Sequence, residues 1–96
     1  MNDVLPDWPL LDAALEIVEA DDGAILEHAA RGRVHYINGT AAYILSLCDG
    51  ETDVAAISRH VQTEFALVDT PLAAVIDILR QFTAEGVVAA GLGSRE

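Results

Sequence analysis

Three histidines and one cysteine are the residues of this sequence best suited to binding a soft metal ion: His28, His35, His60 and Cys48. Their spacing matches neither H-x-x-x-H nor H-E-x-x-H, the patterns that place two ligands on one helix face. His28 and His35 could face each other across a hairpin, but ordinary sheet histidines explain this pattern better. We therefore expect no metal site and no cofactor.

Nucleophilic side chains are present, but none lies in a pattern typical of catalysis. The three serines lie in no G-x-S-x-G turn, and Ser-x-x-Lys cannot occur because the chain has no lysine. Cys48 is in phase with the apolar face of a predicted helix, which favours a small core residue over a reactive thiol. The carboxylates are scattered over predicted turns and helix surfaces, and no glycine-rich phosphate loop precedes a helix. We expect no catalytic residue and no enzymatic activity.

The charge balance excludes further classes of function. Sixteen acidic residues face five arginines, for a formal charge of −11 on 96 residues. Binding to nucleic acid or to an anionic membrane needs clustered cations, so we expect neither partner. The first ten residues contain no Lys or Arg, and no apolar run reaches the ~20 residues of a membrane helix. These features predict a single cytoplasmic domain.

The region 15–38 predicts three antiparallel strands. Residues 15–19 and 24–29 are separated by Asp21-Asp22-Gly23, where we expect Gly23 to be left-handed and to close a three-residue hairpin loop. A turn at Arg31-Gly32 leads into a third strand over residues 34–37. In such a meander the first and third strands are the sheet edges.

The apolar period changes after Asn38 and predicts helices. Asn38 is a good N-cap for a helix over residues 40–48, which Asp49-Gly50 ends. A second helix over residues 53–65 has Thr52 as its predicted cap.

Pro71 suits the first turn of a third helix, which Gly86 ends, and a short strand follows over residues 87–90. The expected core combines apolar positions at helical spacing with one from the third strand: Ile37, Ile44, Leu45, Ile57, Val61, Phe65, Val75, Leu79 and Phe82.

Together these elements predict an α+β, winged-helix-like domain, with a three-stranded antiparallel meander followed by three helices. We expect an N-terminal arm over residues 1–14, in which Pro6 and Pro9 prevent regular pairing. The domain itself is predicted over residues 15–90, and residues 91–96 are expected to form a flexible tail.

The stretch from Ile37 to Gly50, INGTAAYILSLCDG, resembles the hallmark of the PqqD-like family, named for pyrroloquinoline quinone biosynthesis protein D. The spacing of Phe65, of Val75 through Phe82 and of the later Gly86-Val87 pair resembles the rest of the family pattern. Two positions differ from it: Ala74 stands where the family often has Asp, and His35 where it usually has an apolar residue.

The resemblance implies a RiPP recognition element, a peptide chaperone for the biosynthesis of a cofactor or natural product. Such a domain binds the leader of a ribosomally made precursor peptide for a modifying enzyme, such as a radical SAM enzyme, a cyclase or a protease. The leader would add as a strand beside the third strand, against the third helix, without any catalysis by this chain. The residues expected to contact it are Val34, His35, Tyr36, Ile37, Asn38, Leu72, Val75, Ile76, Leu79 and Arg80. The sequence leaves open which alternate residues of 34–38 point toward the peptide.

Two other functions are compatible with this fold. A winged-helix DNA-binding regulator would need several cations on one helix face, whereas the second and third helices carry only Arg59 and Arg80, each among acidic neighbours. A protein-interaction adaptor for a kinase or protease would fit the same composition.

Overall fold

The computed structural model describes residues 6–28 and 32–91. Within them lie five strands and three helices: β1 (Pro9–Leu11), β2 (Leu15–Ala20), β3 (Gly23–His28), β4 (Arg33–Asn38), α1 (Gly39–Ser46), α2 (Val54–Glu64), α3 (Leu72–Ala84) and β5 (Val88–Ala90). The predicted α+β fold, a three-stranded sheet followed by three helices, is confirmed. Predictions for residues 1–5, for 29–31 at the second turn and for 92–96 lie outside the described residues.

The main sheet has the order β2-β3-β4, and both of its pairings are antiparallel. β3 is central, so β2 and β4 are the edges, as the meander predicted. The side chains of Leu26 and Ala24 on β3 are buried against the helices, and α1 follows β4 directly. The sheet thus presents one face to the helical layer and ends laterally at β4, beside α3.

The role predicted for Gly23 is wrong. Ala20 pairs with Gly23, so the hairpin loop contains only Asp21 and Asp22, and Gly23 is not among the residues with positive φ. Glycine is required here because the strands approach closely: a Cβ would lie 1.8 Å from the carbonyl oxygen of Ile37. Close backbone approach, rather than a left-handed turn, explains the residue.

The helix boundaries confirm one predicted cap and correct another. The Asn38 side chain accepts a hydrogen bond from the Ala41 amide at 2.9 Å, as predicted. Asp53, not Thr52, caps α2 by accepting from the Ala56 amide at 2.8 Å. The Thr52 amide and hydroxyl instead donate to Asp49, because that carboxylate organises the preceding turn.

Pro71 precedes the first turn of α3 as its N-cap rather than lying within that turn, and it makes no side-chain cap hydrogen bond. Gly86 ends α3 as predicted. With φ at 76°, Gly86 donates to the Thr83 carbonyl while Val87 donates to that of Phe82, the paired bonds of a Schellman motif.

The buried residues confirm most of the predicted core. Six of the expected residues are fully enclosed and Phe82 nearly so: Ile44, Leu45, Ile57, Val61, Val75, Leu79 and Phe82. Ile37 is partly buried and packs against this cluster. Phe65 is a correction, since it is 41% exposed. It is the C-cap residue of α2, where the chain leaves the helix, and its ring packs edge-on against Tyr43 with centroids 5.8 Å apart.

The prolines near the N-terminus do not prevent pairing, contrary to our expectation for residues 1–14. β1 pairs antiparallel with β5, and Pro9 is opposite Ala90. Proline is tolerated as the first residue of a strand because no ladder donor is required there. Its carbonyl accepts from the Gly50 amide at 2.8 Å, which ties β1 to the turn after α1. No helix in the described residues is long and apolar enough to cross a membrane.

Candidate peptide-binding groove

A groove of about 450 Å³ runs between β4 and α3. One wall is the stretch from Val34 to Asn38, and Ala41 of α1 closes one end. The opposite wall is formed by four residues of α3 and its C-terminal cap: Ile78, Gln81, Phe82 and Glu85. In the part of the chain that the structure describes, no strand pairs with the outer edge of β4. The groove therefore combines an available strand edge with a helix wall.

The side chains of β4 alternate between the two faces of the sheet. His35 and Ile37 are partly buried on the helix side, opposite Leu26 and Ala24 of β3. Val34 and Tyr36 point to the other face and are 66% and 61% exposed. The alternation is that expected of a strand with one buried face.

The hairpin between β2 and β3 determines the direction of the backbone groups of β4. Ala20 and Gly23 flank a two-residue hairpin loop. The two residues that flank such a loop form backbone hydrogen bonds to each other. Because hydrogen bonding alternates along an antiparallel strand, Leu26 directs its N–H and C=O groups toward β4, where its partner is His35. The N–H and C=O groups of Val34 and Tyr36 therefore point away from β3, to the outer edge.

Polar side chains lie along this groove. His35 Nδ1 is 3.5 Å from Glu85 Oε1, so the residue that departs from the family pattern links β4 to the end of α3. On the other face of the sheet, the Tyr36 hydroxyl donates to Asp22, and this hydrogen bond to a carboxylate raises the pKa of Tyr36. A ligand in the groove would thus meet apolar side chains together with the polar ones of His35, Asn38, Gln81 and Glu85.

The predicted contact residues are divided between the groove and other faces. All five residues from Val34 to Asn38 line it, whereas none of the predicted α3 residues does. Val75 and Leu79 are buried in the core. Leu72, Ile76 and Arg80 form a separate stripe, about half a turn around the helix from Ile78, Gln81 and Glu85 at 100° per residue. In the sequence, the α3 residues of the groove wall recur at i, i+3, i+4 and i+7, which is typical of one helix face. This spacing could not have predicted the groove wall, because it does not show which flank of the buried stripe faces β4.

The histidines do not form a metal site in the described residues. His28 is opposite Arg33, and His35 is opposite Leu26, so the two histidines do not face each other. His28 is buried, and its Nε2 lies 2.9 Å from Asp12 Oδ2. His60 is exposed on α2. No group of three or more potential metal ligands occurs among the residues described.

Cys48 is a buried core residue, as predicted. Burial, with a smaller contribution from the charge of Asp49, raises the pKa of its thiol to about 12. Its Sγ contacts the Ile44 carbonyl at 3.4 Å. A thiol this strongly protonated near neutral pH is a poor nucleophile.

The fold and the groove define the class of protein: a small winged-helix-like domain with an available strand edge beside a helix. A family model for coenzyme PQQ synthesis protein D (PqqD) matches residues 23–88. The chain belongs to this family, which confirms the resemblance seen in the sequence.

One solved structure with a similar fold is that of TbiB1 in complex with the TbiA(beta) leader peptide. The TM-score is 0.71 at 21% sequence identity, and the match covers 82% of this chain and 93% of that chain. No curated protein sequence matches the chain.

Proposed function

We propose that this chain binds the leader segment of a ribosomally synthesised precursor peptide and presents it to a modifying enzyme. The observation that carries this proposal is the available edge of β4, which forms one wall of a groove whose other wall is α3. Membership of the PqqD family and a fold shared with a leader-bound protein support it.

Strand addition accounts for both the binding and its selectivity. An extended peptide beside β4 would pair with the backbone groups of Val34 and Tyr36, which satisfies hydrogen-bonding groups without reading sequence. Alternate side chains of the peptide would then enter the groove, where Ile78 and Phe82 offer apolar contact. A disordered leader loses conformational entropy on binding, so we expect a dissociation constant of about micromolar order.

The chemistry itself is assigned to the partner enzyme, which can be a radical SAM enzyme, a cyclase or a protease. Cys48 is buried with a raised pKa, and the described residues hold no cluster of metal ligands. We propose a non-catalytic role for this chain in the cytoplasm. No observation favours the DNA-binding alternative, since Arg59 and Arg80 are single cations on separate helices.

Proline substitutions along β4 test the proposal. Tyr36→Pro removes an amide that faces the outer edge, so we expect the fold to persist and leader binding to fall at least about tenfold. Ile37→Pro is the matched control: it removes an amide that faces β3 and should lower the unfolding midpoint. The measurements are circular-dichroism melts and calorimetric titration with the leader of a precursor encoded beside this gene. Strand addition at β4 is wrong if folded Tyr36→Pro binds that leader as tightly as the parent.

A further inference from the structure

A second, strongly apolar pocket of about 320 Å³ lies between the three helices. Thr40 and Ile44 of α1 form one side, and Ala74, Val75 and Ile78 of α3 form another. Val61, Phe65, Leu67 and Pro71 complete it. Among the described residues that line it, only Thr40 has a polar side chain, so the pocket has little capacity to bind a charged or strongly polar ligand.

This pocket is next to the groove beside β4. Ile78 lines both cavities, and Ala41 of the groove is adjacent in sequence to Thr40 of the pocket. On α3, Ala74 and Ile78 lie on the same side of the helix as Gln81 and Glu85. The two cavities thus lie next to each other along one side of α3, with β4 opposite the groove and the first turn of α1 opposite the pocket.

The pocket lies beyond the C-terminal end of β4, where the strand edge stops at Asn38. The α3 residues of the two cavities are centred about six residues apart, or about 9 Å along the helix axis. About three extended residues span that distance. A peptide paired with β4 therefore needs only a short continuation to place a side chain over the pocket.

Exposed apolar side chains surround the pocket mouth. Phe65 and Leu67 line it while 41% and 42% exposed. Both belong to the segment that follows α2. The Gln62 side chain in the last turn of α2 donates hydrogen bonds to the Leu67 and Val68 carbonyls of this segment. An apolar side chain bound in the pocket would remove this surface from water, which is favourable in free energy.

We propose that the pocket receives a large apolar side chain, aromatic or branched aliphatic, from the same bound peptide, a few residues outside the segment that pairs with β4. Antiparallel pairing is the more stable arrangement, and it places the N-terminal flank of that segment over the pocket. The inference rests on the proposed leader binding and adds a second recognition point to it.

A pair of neighbouring alanines on α3 allows a matched test. Ala74 and Ala73 are both exposed, but only Ala74 lines the pocket. Ala74→Trp should fill the pocket and lower the affinity for the leader about tenfold or more, whereas Ala73→Trp should stay within about twofold of the parent. The probe is the leader of a precursor encoded beside this gene, labelled at its C-terminus and titrated by fluorescence anisotropy.

Truncation of the leader provides a second test of the pocket. Removing N-terminal residues should weaken binding to the parent at the step that deletes a large apolar residue. The same step should have no effect on Ala74→Trp, because the two changes remove one interaction. If Ala74→Trp lowers the unfolding midpoint of the protein, Leu67→Asp replaces it in the leader titrations. Its control is Val68→Asp, at a neighbouring position that is 93% exposed.

The outcomes separate the two proposals. If the leader binds the parent but Ala74→Trp and Leu67→Asp match their controls, the pocket assignment is wrong and leader binding stands. If the leader fails to bind the parent at all, the proposed function fails first. If Ala74→Trp changes the sedimentation of the protein alone and not its affinity for the leader, a second copy occupies the pocket and the inference is overturned.

Discussion

At the residue scale, contacts distant in sequence decide the role of Gly23. A glycine after two aspartates is typical of a turn, yet this glycine lies within β3 opposite Asn38. The space for its side chain is occupied by the backbone of β4, with the Ile37 carbonyl oxygen 1.8 Å from an ideal Cβ. Gly23 therefore helps to position the strand whose outer edge is proposed to bind the leader.

Gly23→Ala should consequently destabilise the domain by about 1–3 kcal/mol, because two backbones must separate to admit one methyl group. Gly39→Ala is the control, since its nearest neighbour, the Asp22 carbonyl oxygen, lies at an ordinary 3.6 Å. Urea melts of both variants measure the difference. Equal stability of the two would mean that β3 and β4 do not approach as closely as described.

At the scale of the element, α3 presents one side to the core, a second to the groove and a third to neither. Val75, Leu79 and Phe82 are buried in the core, while Ile78, Gln81 and Glu85 face the groove. Leu72, Ile76 and Arg80, which we had expected to contact the peptide, lie on the side of α3 away from the groove. One helix thus joins the core to the candidate site, so its rotation about its own axis determines what a ligand meets.

Two leucines on α3 test this orientation. Leu79→Ala should cost about 2–5 kcal/mol of unfolding free energy, because Leu79 is fully buried and its truncation leaves a cavity. Leu72→Ala, at an exposed position on the same helix, should cost well under half as much and leave leader affinity unchanged. Chemical denaturation and leader titration of both variants provide the measurements. A comparable loss of stability in the two would show that the helix is rotated from the orientation described.

At the scale of the whole molecule, the charge of −11 influences binding without specifying it. The groove is lined by strand backbone and by both apolar and polar side chains, and its charged residue Glu85 lies beside His35. Backbone pairing and apolar burial respond weakly to ionic strength, whereas attraction between the acidic surface and a basic peptide is screened by salt.

We therefore expect the affinity for a leader of neutral charge to change less than about threefold between about 0.05 and 0.5 M NaCl. A leader with several Lys or Arg residues should lose affinity more steeply over the same range, mainly through a slower association rate. Stopped-flow and calorimetric titrations at several salt concentrations separate these cases. A steep salt dependence with the neutral leader would show that charge, not strand addition, dominates binding.

Local features of the sequence determined the secondary structure and most of the core. The cap at Asn38, the end of α3 at Gly86 and the helical period of Val75, Leu79 and Phe82 each depend on residues within a turn or two. The available edge of β4 also followed from local information, because a three-stranded meander has its third strand at the edge. The family pattern added the candidate function, and the five β4 residues expected at the site do line the groove.

Tertiary structure alone decided the remaining features, because each depends on residues far apart in the chain. Helical periodicity identifies the buried stripe of α3, but the packing of α3 against β4 decides which flank becomes the groove wall. The pairing of Pro9–Leu11 with β5 joins opposite ends of the chain and overrides the local preference of proline. The exposure of Phe65 and the position of Ile78 between two neighbouring cavities likewise appear only when three helices pack together, since no local pattern encodes the spaces left between them.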